Sequence, residues 1–268
     1  MSCKNDPAPP SQGTGAGGEC DETIQSCPLL RCWTDDYEKE ISVNSYGRYF
    51  RKYKADTTEY SFNFPKKYKI LVPVKTGSKI TVKVRFKSER QSGVSAADET
   101  SAKTELENGV NTHWNGKFTL RVEDPDAECG TKIFSVEYEI VWVTSGQDYT
   151  LKIHNTYARE GLSGSIMNVA SSTTAWTYAH EFAHCVGLPD EYSYTTQTET
   201  VKYIKPDGTL DVAVSAPPGG KSRTAPDATI MSAVNNNTTL NRHGWNIAIE
   251  VQELLRTELG RDIVCTIS

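Results

Sequence analysis

The chain has 268 residues, of which 37% are hydrophobic and 24% charged, an ordinary globular balance that can bury a real core. Its 29 Lys and Arg against 34 Asp and Glu leave a net charge of -5, which argues against a general affinity for nucleic acid or anionic membrane. No apolar run approaches the roughly 18 residues that a bilayer-crossing helix needs, so no membrane span is expected.

Residues 1–35 are dominated by Pro, Gly and Ser, show no apolar period and read as a flexible arm. Four of the seven cysteines, Cys3, Cys20, Cys27 and Cys32, crowd into it at spacings that fit no compact zinc knuckle. Cys129, Cys185 and Cys265 complete the set, and an odd count leaves at least one thiol unpaired or intermolecular. Disulfides in an oxidising destination and reduced thiols in a cytosolic protein are both open readings. The first seven residues are polar and lack the apolar core of a secretory signal. Export without a classical signal peptide, through a contact-dependent or injection-type machine, reconciles the cysteines with that start.

Residues 36–75 are expected to form a β-rich appendage. Tyr60, Phe62 and Phe64 alternate with polar partners, as do Ile70, Val72 and Val74 ahead of Gly77. Residues 76–268 then read as one α+β domain with a mixed twisted sheet. Ile80, Val82, Val84 and Phe86 alternate with polar side chains, the mark of a strand with one wet face. Residues 96–114 are helix-permissive, with thin apolar content in Ala97, Leu106 and Val110. Asn115-Gly116 is a turn, followed by strands at 117–122, 134–143, 149–153 and 165–169. The last of these is expected to be the sheet edge along which an extended peptide lies.

The period then becomes helical. Thr173 and Thr174 are among the N-cap candidates, residues 175–186 hold no Gly or Pro, and Gly187 is a natural left-handed stop before Pro189. Residues 200–204 and 209–214 flank Lys205-Pro206-Asp207-Gly208 and read as a hairpin, a candidate flap over the cleft. A final helix over 245–259 ends at Gly260.

The informative stretch is His180-Glu181-Phe182-Ala183-His184-Cys185-Val186-Gly187-Leu188-Pro189-Asp190-Glu191-Tyr192. Residues four apart share a helix face, so the imidazoles of His180 and His184 can converge on one cation, and neutral imidazole suits Zn²⁺. Glu181 is rotated too far round to share that corner, but it can reach a water beside the cation and act as general base. A sharp turn at Gly187 brings Asp190, six residues past His184, back under the metal as a third ligand. Glu191 and Asp227 remain open for the same role. A donor to the transition state is also needed, with His243 first in line and Tyr192 and Tyr194 as alternatives. His113 and His154 read as structural, and Cys185 as a small buried hydrophobe.

The stretch from His180 to Asp190 resembles the extended zinc motif of metzincin-type zincin peptidases. Asp in the third place resembles the snapalysin-like branch, whereas most metzincins carry His there. The order of elements also looks like a zincin domain, with an active-site helix and a C-terminal helix. The resemblance implies a methionine turn beneath the metal; Thr229-Ile230-Met231-Ser232 matches it, unless Met231 is an ordinary core residue. Through His180–Tyr192, Met231 and Asn241-Arg242-His243-Gly244-Trp245, residues 75–260 further resemble metallopeptidase toxin domains of bacterial type VI secretion spike proteins. That second resemblance implies an antibacterial effector acting in a target cell's periplasm on protein or peptide, with a cognate immunity protein and a secretion spike as partners. Two rival readings stand beside it: a zinc-dependent cell-wall amide hydrolase, and a non-catalytic interaction module.

Overall fold

The computed structural model describes residues 33, 35–43, 50–53, 59–61, 65–125, 130–223 and 227–268, with backbone alone for 50–53 and 59–61. The expected arm at 1–35, the alternation through Phe62 and Phe64, and Cys3, Cys20, Cys27, Cys32 and Cys129 therefore lie almost wholly outside the described residues. In chain order the first strands are β1 (Tyr37–Val43), β2 (Phe50–Tyr53), β3 (Glu59–Ser61), β4 (Lys66–Val72) and β5 (Lys79–Arg90). Helix α1 (Ala96–His113) follows, then β6 (Thr119–Glu123), β7 (Thr131–Trp142), β8 (Tyr149–His154), β9 (Gly161–Ser163) and β10 (Ile166–Ala170). The chain ends with α2 (Ala175–Cys185), β11 (Glu199–Ile204), β12 (Leu210–Ala216), α3 (Trp245–Leu259) and β13 (Val264–Ile267). The fold is α+β, with a mixed sheet and three α-helices among the described residues.

Strand β5 organises the larger sheet. Its Ile80, Val82, Val84 and Phe86 are fully buried, as the alternation requires. One edge runs parallel to β7 from Lys79 to Phe86. The other edge is shared: Thr81–Lys83 pair antiparallel with β4, and Phe86–Arg90 pair parallel with β8. Beyond β7 lie β6 and then β13; beyond β8 lie β10 and then β9. A second sheet has the order β12-β11-β2-β3.

Two expectations change here. The appendage at 36–75 does not stand apart from the rest. Strand β4 pairs with β5, β1 pairs with β4, and β2 pairs with β11, while Ile41, Tyr68, Ile70, Val72 and Val74 join the common core. An apolar strand face must be covered and a strand edge paired, and β4 and β2 find partners across the expected boundary at residue 75. Nor is the segment at 165–169 the sheet edge. It is β10, paired on both sides, and the edge is the three-residue β9, too short to show a period of two. Among the described residues, no helix is long and apolar enough to cross a membrane.

Helix α1 begins with a capping box: Ser95 Oγ accepts the Asp98 amide at 3.1 Å and Asp98 Oδ2 accepts the Ser95 amide at 2.9 Å. Helices α1 and α2 pack closely at Gly109, where a Cβ would lie 2.3 Å from the Ala175 carbonyl oxygen. Gly109→Ala therefore tests the helix contact by sign. In an exposed helix the change would stabilise by about 0.5–1 kcal/mol; here overpacking should cost about 1–3 kcal/mol. Urea denaturation measures it, and a more stable variant would refute the contact.

Candidate metal centre

Helix α2 is held at both ends before it can serve as a platform. Thr174 caps the first turn, and the Ala175 amide donates to Glu105 Oε2 of α1 at 3.1 Å. The Trp114 indole reaches the Ala179 carbonyl at 2.8 Å. At the other end the helix stops at Cys185, and Gly187 takes φ +97°. Its amide donates to the His184 carbonyl at 3.0 Å, and the Leu188 amide donates to the Ala183 carbonyl at 3.0 Å. A side chain at Gly187 would meet Lys66 Cδ at 2.8 Å, so glycine is required by both conformation and space. Asn246 of α3 donates to the Val186 carbonyl and closes the helix end. Strand β4 is tied to the same place, because Tyr149 Oη accepts the Lys67 amide and donates to the Cys185 carbonyl.

This reversal returns the chain beneath α2. His180 Nδ1 donates to the Ile230 carbonyl at 2.8 Å, and His184 Nδ1 donates to the Leu188 carbonyl at 2.7 Å. A carbonyl can only accept, so both Nδ1 atoms carry hydrogen and both Nε2 atoms, the nitrogens left free to take a cation, face Asp190. Asp190 Oδ1 lies 3.2 Å from His180 Nε2 and 3.3 Å from His184 Nε2. The His180 ring is stacked between Trp176 (centroids 5.6 Å apart) and Tyr192 (6.3 Å apart). Two imidazole lone pairs and a carboxylate oxygen turned on one point are held together only by a cation, whether a proton or a metal ion. His180, Glu181 and His184 can also offer donor atoms all within 4.8 Å of one another.

The titration behaviour follows. Burial opposes a charged imidazole, but the adjacent Asp190, with Glu181 behind it, outweighs burial and raises His184 to about 9; His180 moves the same way. Burial would raise the Asp190 carboxyl, yet the two rings hold it well below the usual range. Glu181 accepts the Leu162 amide of β9 on Oε2 at 2.8 Å.

The other candidates for third ligand are engaged elsewhere. The Asp227 side chain is 69% exposed and pairs with Arg223 at 3.3 Å. Glu191 is fully buried and points to different partners from Asp190. It accepts Arg242 Nε and Nη2 at 2.6 and 2.9 Å, Thr229 Oγ1 at 2.7 Å, Tyr203 Oη at 3.0 Å and His243 Nε2 at 3.3 Å. His243 is correspondingly misplaced for the role of donor to a reacting group. Its Nδ1 accepts the Leu240 amide at 3.2 Å, its Nε2 faces Glu191, and it is 0% exposed. The hydroxyls of Tyr192 and Tyr194, 3.0 Å apart, are on the cleft instead.

His113 and His154 stay outside the cluster, His113 at the buried end of α1 and His154 against Asn168 and Tyr157. Cys185 and Cys265 are buried free thiols. Met231 is buried in the core, and the turn around it supplies the Ile230 carbonyl to His180 and the Met231 carbonyl to the Glu191 amide. Sequence reasoning missed the Ile230 carbonyl and the Leu162 amide, since a backbone group carries no residue-type signal.

Two clefts of about 340 and 360 Å³ meet at this cluster and share Arg159, Glu160, Glu181 and Tyr194 in their linings. The hairpin β11–β12 lines neither. Its Tyr203 reaches Glu191, its Asp211 accepts the Trp245 indole, and Pro206 accepts Gln252 of α3. The expected flap is a prop under the site.

Two outcomes follow from these contacts. His184 has a folded value above its ordinary 6.5, so its stabilising contribution to chelator-treated protein is complete below pH 6.5 and is lost as pH rises through about 9. Melting temperature should fall across that window, by an amount reflecting up to about 3 kcal/mol, and His184→Gln should reduce the fall to the part that His180 contributes. Removing the carboxylate in Glu191→Ala leaves Arg242 buried without its partner and should cost about 3–5 kcal/mol by denaturant titration. Comparison with protein-family models, with curated proteins and with solved structures finds no match to this chain.

Proposed function

We propose that the chain is a zinc-dependent endopeptidase of zincin-like organisation, with His180, His184 and Asp190 as metal ligands and Glu181 as general base. The observation that carries this reading is the convergence of two Nε2 atoms and Asp190 Oδ1, with Glu181 beside them, where two clefts meet. Two imidazoles and one carboxylate suit Zn²⁺, and three protein ligands leave a coordination position open, unlike the closed four-ligand sets of structural zinc sites. The resemblance of His180–Asp190 and of the Met231 turn to metzincin-type peptidases points the same way.

Zinc, when bound, supplies Lewis-acid polarisation of the scissile carbonyl and acidification of the attacking water. The chain's own residues do the rest. The Ile230 and Leu188 carbonyls hold both imidazoles in the ligating tautomer and orientation. Glu181, anchored through Oε2 by the Leu162 amide, accepts a proton from the attacking water and passes it to the leaving amine. Tyr192 and Tyr194 take the place first expected of His243. Burial and the nearby Asp190 charge push both phenols up, so they stay protonated, and with one hydroxyl donating to the other the pair keeps one O–H for the developing oxyanion. An extended peptide pairing with the short edge strand β9 occupies both clefts.

Glu181→Gln should retain one zinc per chain and lose about 10²–10⁴ of turnover on casein, measured by metal analysis beside a protease assay. Retained turnover in that variant would sink the mechanism. Purified peptidoglycan as a parallel substrate separates the peptidase from the cell-wall amide hydrolase. The effector role rests on the resemblance to spike-linked toxin domains; expression in a test bacterium should be harmful with a periplasmic signal, and equal harmlessness in both compartments counts against it.

A further inference from the structure

We infer that Arg159 sets the substrate class of this site by taking a carboxylate placed beside the scissile bond, an inference that rests on the peptidase reading above. Arg159 lies in the segment between β8 and β9 and lines both clefts. It is the one Lys or Arg in either lining among the described residues. Its guanidinium sits over the Tyr194 ring, 4.6 Å from the centroid, and also hydrogen-bonds the Tyr194 hydroxyl, which holds the group at the mouth of the site while leaving most of its five N–H donors for a ligand.

The charges around it decide what it is for. The lining contains three carboxylates, and each has partners of its own. Asp190 faces the two imidazoles, Glu181 accepts the Leu162 amide, and Glu160 accepts the Ala170 amide and the Thr173 hydroxyl. Arg159 makes no ion pair among the described residues. The carboxylates' own bonds fix them in place without making them receptors for an anion. The one side-chain cation of the lining with donors to offer, among the described residues, is the guanidinium, whose planar fork matches a carboxylate in two-point contact. Because it borders both clefts next to Glu181, the carboxylate it receives belongs to a residue flanking the cleaved bond. The same position disfavours a basic side chain by like-charge repulsion. The carboxylate can come from an acidic side chain or from a substrate's free C-terminus, and the two are separable by experiment.

The test uses the zinc-loaded full chain and a set of internally quenched peptides with Glu, Gln or Lys at the positions flanking the cleaved bond. Each peptide is made with an amide and with a free-acid C-terminus. Wild type should favour the carboxylate-bearing member over its neutral counterpart by about ten- to hundredfold in kcat/KM. Arg159→Gln should bring that ratio close to one, and Arg159→Glu should reverse it in favour of Lys. A Glu preference locates the carboxylate on a side chain, and a free-acid preference locates it at the C-terminus; either supports the inference if it vanishes in Arg159→Gln. Cleavage by wild type with no carboxylate preference, or with a preference that Arg159→Gln leaves intact, overturns the inference and spares the peptidase reading. Absence of cleavage of every peptide by wild type overturns both.

Discussion

The site depends on one backbone reversal, at the end of α2. Helix geometry alone aligns His180 with His184, but two imidazoles on one face do not make a centre. The third group arrives because Gly187 turns the chain in a conformation that few other residues tolerate, over a buried Lys66 stem that leaves no room for a Cβ. Asn246 from α3 and Tyr149 from β8 then bond the last carbonyls of the helix. The geometry of the His180, His184 and Asp190 cluster is thus fastened to the sheet and to the last helix at the point where the chain doubles back.

Asp190 and Glu191 divide their work by direction. Asp190 faces two imidazoles, where charges of opposite sign lie within 3.3 Å and a cation of either kind is accommodated. Glu191 faces inward and gathers Arg242, His243, Tyr203 and Thr229 from separate parts of the chain. Such a buried charge is tolerable only with full pairing, and removing one partner costs far more than the pair contributes. The network joins the turn that supplies the Ile230 carbonyl, the hairpin and the start of α3 to the residue next to Asp190. Stability and site geometry share these contacts.

Rigidity is unevenly spread across the cleft. The His180 ring is stacked against Trp176 and Tyr192 and Glu181 is tied by a backbone amide, whereas Arg159 and Tyr194 are exposed and are held chiefly by each other and by Tyr192. Groups that need fixed orientation are held by several directional contacts. Those that meet a variable ligand stand at the exposed rim with fewer ties to the rest of the fold.

The sequence by itself determined the helix that carries His180, Glu181 and His184, the stop at Gly187, the course of α3 and the alternating strand β5. These follow from local periodicity and capping, which act within a few residues. It also put Asp190 first for the third place, through the turn at Gly187 and the motif resemblance, with Glu191 and Asp227 left open. What it left open was decided by contacts distant in the chain. Nothing local distinguishes an acidic residue that faces two imidazoles from its neighbour that faces an arginine 51 residues away. His243 looked reactive by type, and the tertiary packing made it a buried bridge between Leu240 and Glu191. The three-residue β9, the pairing of β1 and β4 with the main sheet, and the backbone groups that orient the imidazoles have no side-chain signature. Only the folded chain brings them to the site.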